Sequence, residues 1–219
     1  MIITLVVFSF IYFNIQDNKY VQAKDVPVKM EDYIKKYENI VFLGDSITEY
    51  YPIDKIYGDL PVIKSGISGY KTTDVITRLN TMVYQYNPTS VFILLGTNDL
   101  ARNKQEDYDL AVNNMKSIIN NIKKNRSYSK IYVESLLPVN ENINKSMVAS
   151  RKNSMIKDFN EEIKSYCLQN DVTYIDIYDE FIDDDGNYSS DYTNDGLHPN
   201  DLCYAKLTRI LLKYIYEAC

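Results

Sequence analysis

The stretch Val41-Phe42-Leu43-Gly44-Asp45-Ser46-Ile47-Thr48 decides how the chain is read. The apolar run over residues 40–43 stops at a glycine, and a serine follows two residues later. A short continuous apolar run closed by glycine predicts a buried strand ending in a tight turn. That turn lifts one hydroxyl to the C-terminal edge of a sheet, where open α/β folds bind their ligands. A serine hydroxyl there becomes a nucleophile only with a base beside it and donors waiting for an oxyanion.

The same design repeats outward from this point. Residues 61–64 predict a second strand, followed by the turn Ser65-Gly66-Ile67-Ser68-Gly69. Residues 91–95 form the most apolar strand and run into Gly96-Thr97-Asn98-Asp99. Two further strands are expected over 130–135 and 172–177. Between them fall helical patterns. One is capped by Thr72 or Thr73 and turns Val75, Ile76, Leu79, Met82 and Val83 inward, until Asn87-Pro88 breaks it. Another spans 106–124, with Leu110, Met115, Ile118, Ile119 and Ile122 at helical spacing. Residues 146–170 read as mostly helical, and 201–216 as a last helix with Leu207, Ile210, Leu211 and Ile215 inward. Strands alternating with helices predict a three-layer α/β/α fold on a mostly parallel five-stranded sheet.

With 219 residues, 45% apolar and 25% charged, the chain suits one such domain and is not compositionally disordered. A net charge of −6 argues against a nucleic-acid partner, which requires a basic face. Residues 2–13 are an apolar run, too short to cross a bilayer, which takes about 20 residues. The run has the length of a secretory h-region, and Val21-Gln22-Ala23 offers small residues for cleavage, although no Lys or Arg precedes it. Residues 1–23 are therefore expected to be a signal peptide or membrane anchor, leaving 24–219 as the folded domain, outside the cytoplasm. The three cysteines, Cys167, Cys203 and Cys219, make no CxxC pair or Cys/His cluster, so no zinc site is expected. The run Asp183-Asp184-Asp185-Gly186-Asn187 does not fit a calcium loop, because Phe181 and Tyr192 stand where that pattern needs carboxylates.

The chain has a single histidine, His198, within Asp195-Gly196-Leu197-His198-Pro199-Asn200. A lone histidine is most often structural. This one lies three residues after an aspartate, in a glycine- and proline-bearing loop just before a helix. Asp195 can reach the imidazole Nδ1 over that span, which frees Nε2 to take a proton from a serine. Two further positions could hold an oxyanion. Gly66 follows a strand and lets its N–H approach closely, and Asn98 follows another and offers an amide NH₂. Asp45 and Asp99 beside them are read as turn-stabilising residues, and Tyr50, Tyr51 and Tyr70 as candidates to line the cleft.

Four blocks in order, GDSITE, SGISGYKTTD, GTND and DGLHPN, give the chain a resemblance to the SGNH (GDSL-type) hydrolases from about residue 39 to 216. The resemblance implies a serine esterase working through an acyl-serine. Ser46 would be the nucleophile, His198 the general base and Asp195 its orienting partner. The oxyanion hole would comprise Ser46 N–H, Gly66 N–H and the Asn98 side chain, with no metal or organic cofactor. The chain departs from the family at Lys64, where many members carry asparagine, but Gly66 is kept. Gly44-Asp45-Ser46 also lacks the second glycine of the G-x-S-x-G elbow. The expected substrate is a small ester with a short acyl group, such as an acetylated carbohydrate, with lysophospholipid as the lipid alternative. An O-acyltransferase would use the same residues, and a catalytically silent binding module would keep the fold alone.

Overall fold

The computed structural model describes residues 39–58 and 61–218. The segment 1–23, expected to be a signal or anchor, lies outside the described residues. Five parallel strands form one sheet in the order β2-β1-β3-β4-β5: β1 (Ile40–Gly44), β2 (Val62–Gly66), β3 (Ser90–Leu94), β4 (Lys130–Glu134) and β5 (Thr173–Ile175). Helices flank it in a three-layer α/β/α arrangement, as the alternation of patterns predicts. Every residue of β1 and of β3 is buried, so their unbroken apolar character reflects helices on both faces. The outer strands differ: β2 exposes Lys64, and β5 is short and exposes Thr173. A charge and a short strand are two ways to keep a sheet edge from pairing further.

The parallel register sets Phe42, Phe92 and Tyr132 side by side, and their rings stack at 4.9 and 4.5 Å between centroids. On that face Tyr132 meets Tyr214 of the last helix, α8 (Asp201–Ala218), and Tyr51 stacks on Tyr204. The row accounts for several of the 21 tyrosines as core rather than site residues. Tyr51 is one of them. It is 2% exposed and bonded to Thr208 Oγ1 at 2.7 Å, so it does not line a cleft.

Helices follow the sequence with five departures. The helix expected over 72–83 is two, α3 (Thr72–Ile76) and α4 (Leu79–Met82). The carbonyl of Asp74, which a continuous helix would bond to Arg78 N–H, instead accepts from the Thr77 hydroxyl and the Arg78 guanidinium, while Arg78 N–H goes to Val75. Its start also differs, because Asp74 reaches back to Lys71 N–H while Thr72 is wholly buried against Asp99. In α5 (Gln105–Asn125), Leu110 is 50% exposed; it shares its face with Asn114 and Ser117, whereas Ala111, Met115, Ile118 and Ile122 face the core. The stretch 146–170 is also two helices, α6 (Glu141–Val148) and α7 (Asn153–Gln169), parted at Ala149, whose φ is +58°. Ile210 of α8 is only half-buried.

Two short helices, α1 (Ser46–Tyr50) and α2 (Ile53–Tyr57), follow β1. Because α1 begins at once, its backbone lies against the strand ends. Gly44 and Gly66 are direct partners there. A Cβ on Gly66 would stand 2.4 Å from Glu49 N and 2.7 Å from Asp45 O, both backbone atoms that cannot swing aside. Gly66→Ala is therefore expected to destabilise the fold by about 3 kcal/mol, the upper range for overpacking. Urea denaturation measures it, and a wild-type midpoint would refute the close-approach account.

Candidate active site

From β1 the chain moves to one neighbour, β2, and then crosses to β3 on the other side. The crevice between β1 and β3 is thus a topological switch point, where α/β sheets bind ligands beyond their C-terminal ends. Ser46 follows β1 and Asn98 follows β3. The late loop before α8 brings in His198. The fold joins groups 152 residues apart in the chain: Ser46 Oγ lies 3.0 Å from His198 Nε2.

His198 Nδ1 lies 2.8 Å from Asp195 Oδ2, which fixes Nδ1 as the protonated nitrogen facing the carboxylate. Asp195 does more than hold the ring. Its Oδ1 accepts the backbone N–H of Leu197 (2.9 Å) and of His198 (2.7 Å), folding the loop around the carboxylate. Thr193 Oγ1 donates to the His198 carbonyl (2.7 Å) and accepts from Gly196 N–H (3.0 Å). An antiparallel bridge between Thr193 and Pro199 closes the loop. Gly196 has φ +78°, and a Cβ there would sit 2.2 Å from the Asn140 carbonyl oxygen. That contact, with Asn140 N–H donating to Gly196 O at 2.9 Å, sews the loop to the exit of β4. Burial acts to raise the Asp195 carboxyl, but bonds from the His198 ring and two amides outweigh it and hold it below the usual range. The group is an anion at neutral pH.

The candidate oxyanion donors converge on the same edge. Ser46 is the first residue of α1, so its N–H has no acceptor within the helix. Gly66 ends β2 opposite Gly44. The turn Ile67–Tyr70, closed by Tyr70 N–H to Ile67 O at 3.1 Å, has Gly69 at φ +78°, as a type II turn requires. The Tyr70 carbonyl accepts from Asn98 Nδ2 at 3.0 Å, tying the second block to the third. Asp45 caps α1 through Ile47 N–H (3.0 Å), the local role expected of it. Asp99 reaches further than expected and binds the amide and hydroxyl of Thr72, 27 residues away. Burial raises both carboxyls, Asp45 to about 7.

Of the tyrosines considered for the cleft, Tyr50 lies at the rim, 54% exposed, its ring 5.4 Å from the His198 ring. Ser68 beside it bonds the Glu49 carboxylate and the Tyr50 hydroxyl. Sequence patterning does not single out Arg151 or Asn140, whose contacts are with backbone far along the chain, nor Thr193, which works within its own loop. Among the described residues no three His, Cys, Asp or Glu side chains come together to hold a metal ion, and no helix is long and apolar enough to cross a membrane.

Comparison with known proteins bears on the fold and the family. The sequence model of the GDSL-like lipase/acylhydrolase family matches residues 42–206. A candidate platelet activating factor from Streptococcus pneumonia is 28% identical, with 86% of this chain and 94% of that one covered and a TM-score of 0.76. A GDSL-like lipase from Bacteroides thetaiotaomicron (24% identity, 97% and 100% covered, TM-score 0.72) shares the fold. So does an acetylxylan esterase from Geobacillus stearothermophilus (19%, 81% and 94%, 0.62). No curated protein matches the sequence. A family match over most of the chain, on a fold whose blocks meet at one sheet edge, means that the chain belongs to the GDSL-like lipase/acylhydrolase family and is a hydrolase acting on esters.

Proposed function

We propose that the protein hydrolyses short-acyl carboxylic esters through an acyl-serine intermediate, with Ser46, His198 and Asp195 as its catalytic triad. The observation that carries this reading is the continuous line of contacts from Ser46 Oγ to His198 Nε2 (3.0 Å) and from His198 Nδ1 to Asp195 Oδ2 (2.8 Å). In the first step His198 Nε2 takes the Ser46 proton as Oγ attacks the ester carbonyl. The imidazolium that forms lies against the Asp195 anion. The carbonyl oxygen, now negative, is met by Ser46 N–H, Gly66 N–H and the second hydrogen of Asn98 Nδ2, the first being held by Tyr70 O. The imidazolium then protonates the leaving alcohol, and a water activated by Nε2 releases the acid.

The rim supports an alcohol rich in hydroxyls. Tyr50 presents an exposed ring beside the His198 ring, with Glu49 and Ser68 adjoining it. An acetylated carbohydrate suits that surface, and the acetylxylan esterase with the same fold acts on such a substrate. The apolar run at residues 2–13 favours action outside the cytoplasm, which cell fractionation would check. A fluorophosphonate probe is expected to label Ser46, and kcat/KM is expected to fall steadily from p-nitrophenyl acetate to longer acyl esters. No labelling would overturn the acyl-serine route, and a maximum at long acyl chains would overturn the short-acyl assignment.

A further inference from the structure

We propose that Arg151 is the positioning residue of the oxyanion hole: it turns the Asn98 carboxamide so that its NH₂ faces the reacting oxygen, and it brings a positive charge behind that donor. The inference rests on the esterase reading above and adds to it a residue that touches no substrate.

Arg151 stands on the connection that parts α6 from α7, where the chain has left helical geometry. Its side chain turns inward and is only 5% exposed. The guanidinium donates to four acceptors: Thr97 O through Nε (2.8 Å), Met147 O (3.4 Å) and Val148 O (2.9 Å) through Nη1, and Asn98 Oδ1 through Nη2 (2.9 Å). All four are neutral. Among the described residues no carboxylate lies within ion-pair distance of it. Its charge is met only through space, by the buried Asp45 carboxyl, so its direct contacts are with the four neutral acceptors.

Its chemistry decides the orientation of Asn98. A carboxamide has an acceptor end and a donor end, and in isolation either can face a given neighbour. A guanidinium donates only, so the end facing Arg151 must be Oδ1, and Nδ2 must point the opposite way. There one Nδ2 hydrogen meets Tyr70 O (3.0 Å), which leaves the other free. The two contacts grip the amide from both ends. The charge acts in the same sense as the geometry. A cation on the amide oxygen polarises the group and strengthens Nδ2–H as a donor. In a site of low dielectric that favours the tetrahedral adduct over the neutral ester.

The test uses the full chain with Arg151→Lys, Asn98→Ala and the double variant, assayed on p-nitrophenyl acetate. Active sites are counted by fluorophosphonate titration so that kcat refers to competent molecules alone. Lysine keeps the charge but cannot hold Thr97 and Asn98 together. Its kcat is expected to fall roughly 10- to 100-fold, below the loss for removing a donor outright, with KM within about twofold. In the Asn98→Ala background the same change should cost less than about twofold, because the group it acts through is gone. An equal cost in both backgrounds, a loss confined to KM, or wild-type kinetics for Arg151→Lys would each overturn the proposal. Wild-type protein that does not label defeats the esterase reading, and this inference with it. Labelled wild type with unaltered Arg151→Lys defeats this inference alone.

Discussion

Ser46→Ala is expected to lower kcat on p-nitrophenyl acetate by about 10⁴-fold or more, with KM little changed. The expectation follows from the geometry rather than from the serine alone. The hydroxyl is 3.0 Å from the only histidine of the chain, and that histidine is held by a carboxylate kept anionic by three donors. Removing the hydroxyl removes the bond that would form, whereas the proposed substrate contacts at Gly66, Asn98 and the rim would persist. His198→Ala should lose a comparable factor, because a serine without its base is a weak nucleophile. The double variant should be no slower than either single one, since the two groups act on one step. Two losses that multiply, or a single variant near wild type, would sink the triad.

The second large effect concerns Glu134, which ends β4 and is 4% exposed. Its register partner is Ile175. Burial alone pushes its carboxyl from an ordinary 4.5 up to about 8, so the folded protein carries it protonated at neutral pH. Folding then takes up a proton that the unfolded chain has already released. Its contribution to stability is complete below about pH 4.5, declines as the pH rises, and is fully lost once the pH passes about 8. Asp45, raised from 3.8 to about 7, adds a similar decline over a lower window. Glu134→Gln keeps the shape and removes the ionisation. Urea denaturation at a series of pH values should show the variant matching wild type near pH 4 and exceeding it by a few kcal/mol near pH 9. Each pH unit of the window contributes about 1.4 kcal/mol to that difference. A variant that follows the wild-type pH profile would remove Glu134 from this account.

Much of the architecture was legible because local chemistry and global fold agree in the interior strands. A run such as Val91-Phe92-Ile93-Leu94 has no other comfortable place than between two helical layers. The candidate triad was legible for a related reason: the only histidine lies beside a turn-forming aspartate, and the loop that turn makes is the loop the chemistry needs. What stayed hidden was set by distant partners. Thr72 reads as a cap because nothing nearby shows that Asp99 would claim its amide. The helix breaks at Arg78 and Ala149 depend on side-chain competition for one carbonyl and on a left-handed alanine, neither of which hydrophobic spacing registers. Tyr51 and Tyr50 are neighbours in sequence, yet one is sealed against Thr208 and the other lies open beside His198. Arg151 had no signal at all, because its meaning lies in carbonyls 53 and 54 residues away.

The short loop holding Asp195 and His198 is fastened to itself by Thr193, by the bridge to Pro199 and by amides that close on one carboxylate. Carboxylate, imidazole and backbone are therefore held as one hydrogen-bonded unit, which meets Ser46 through a single 3.0 Å contact. Asn140 N–H, bonded to Gly196 O, fastens that unit to the chain leaving β4.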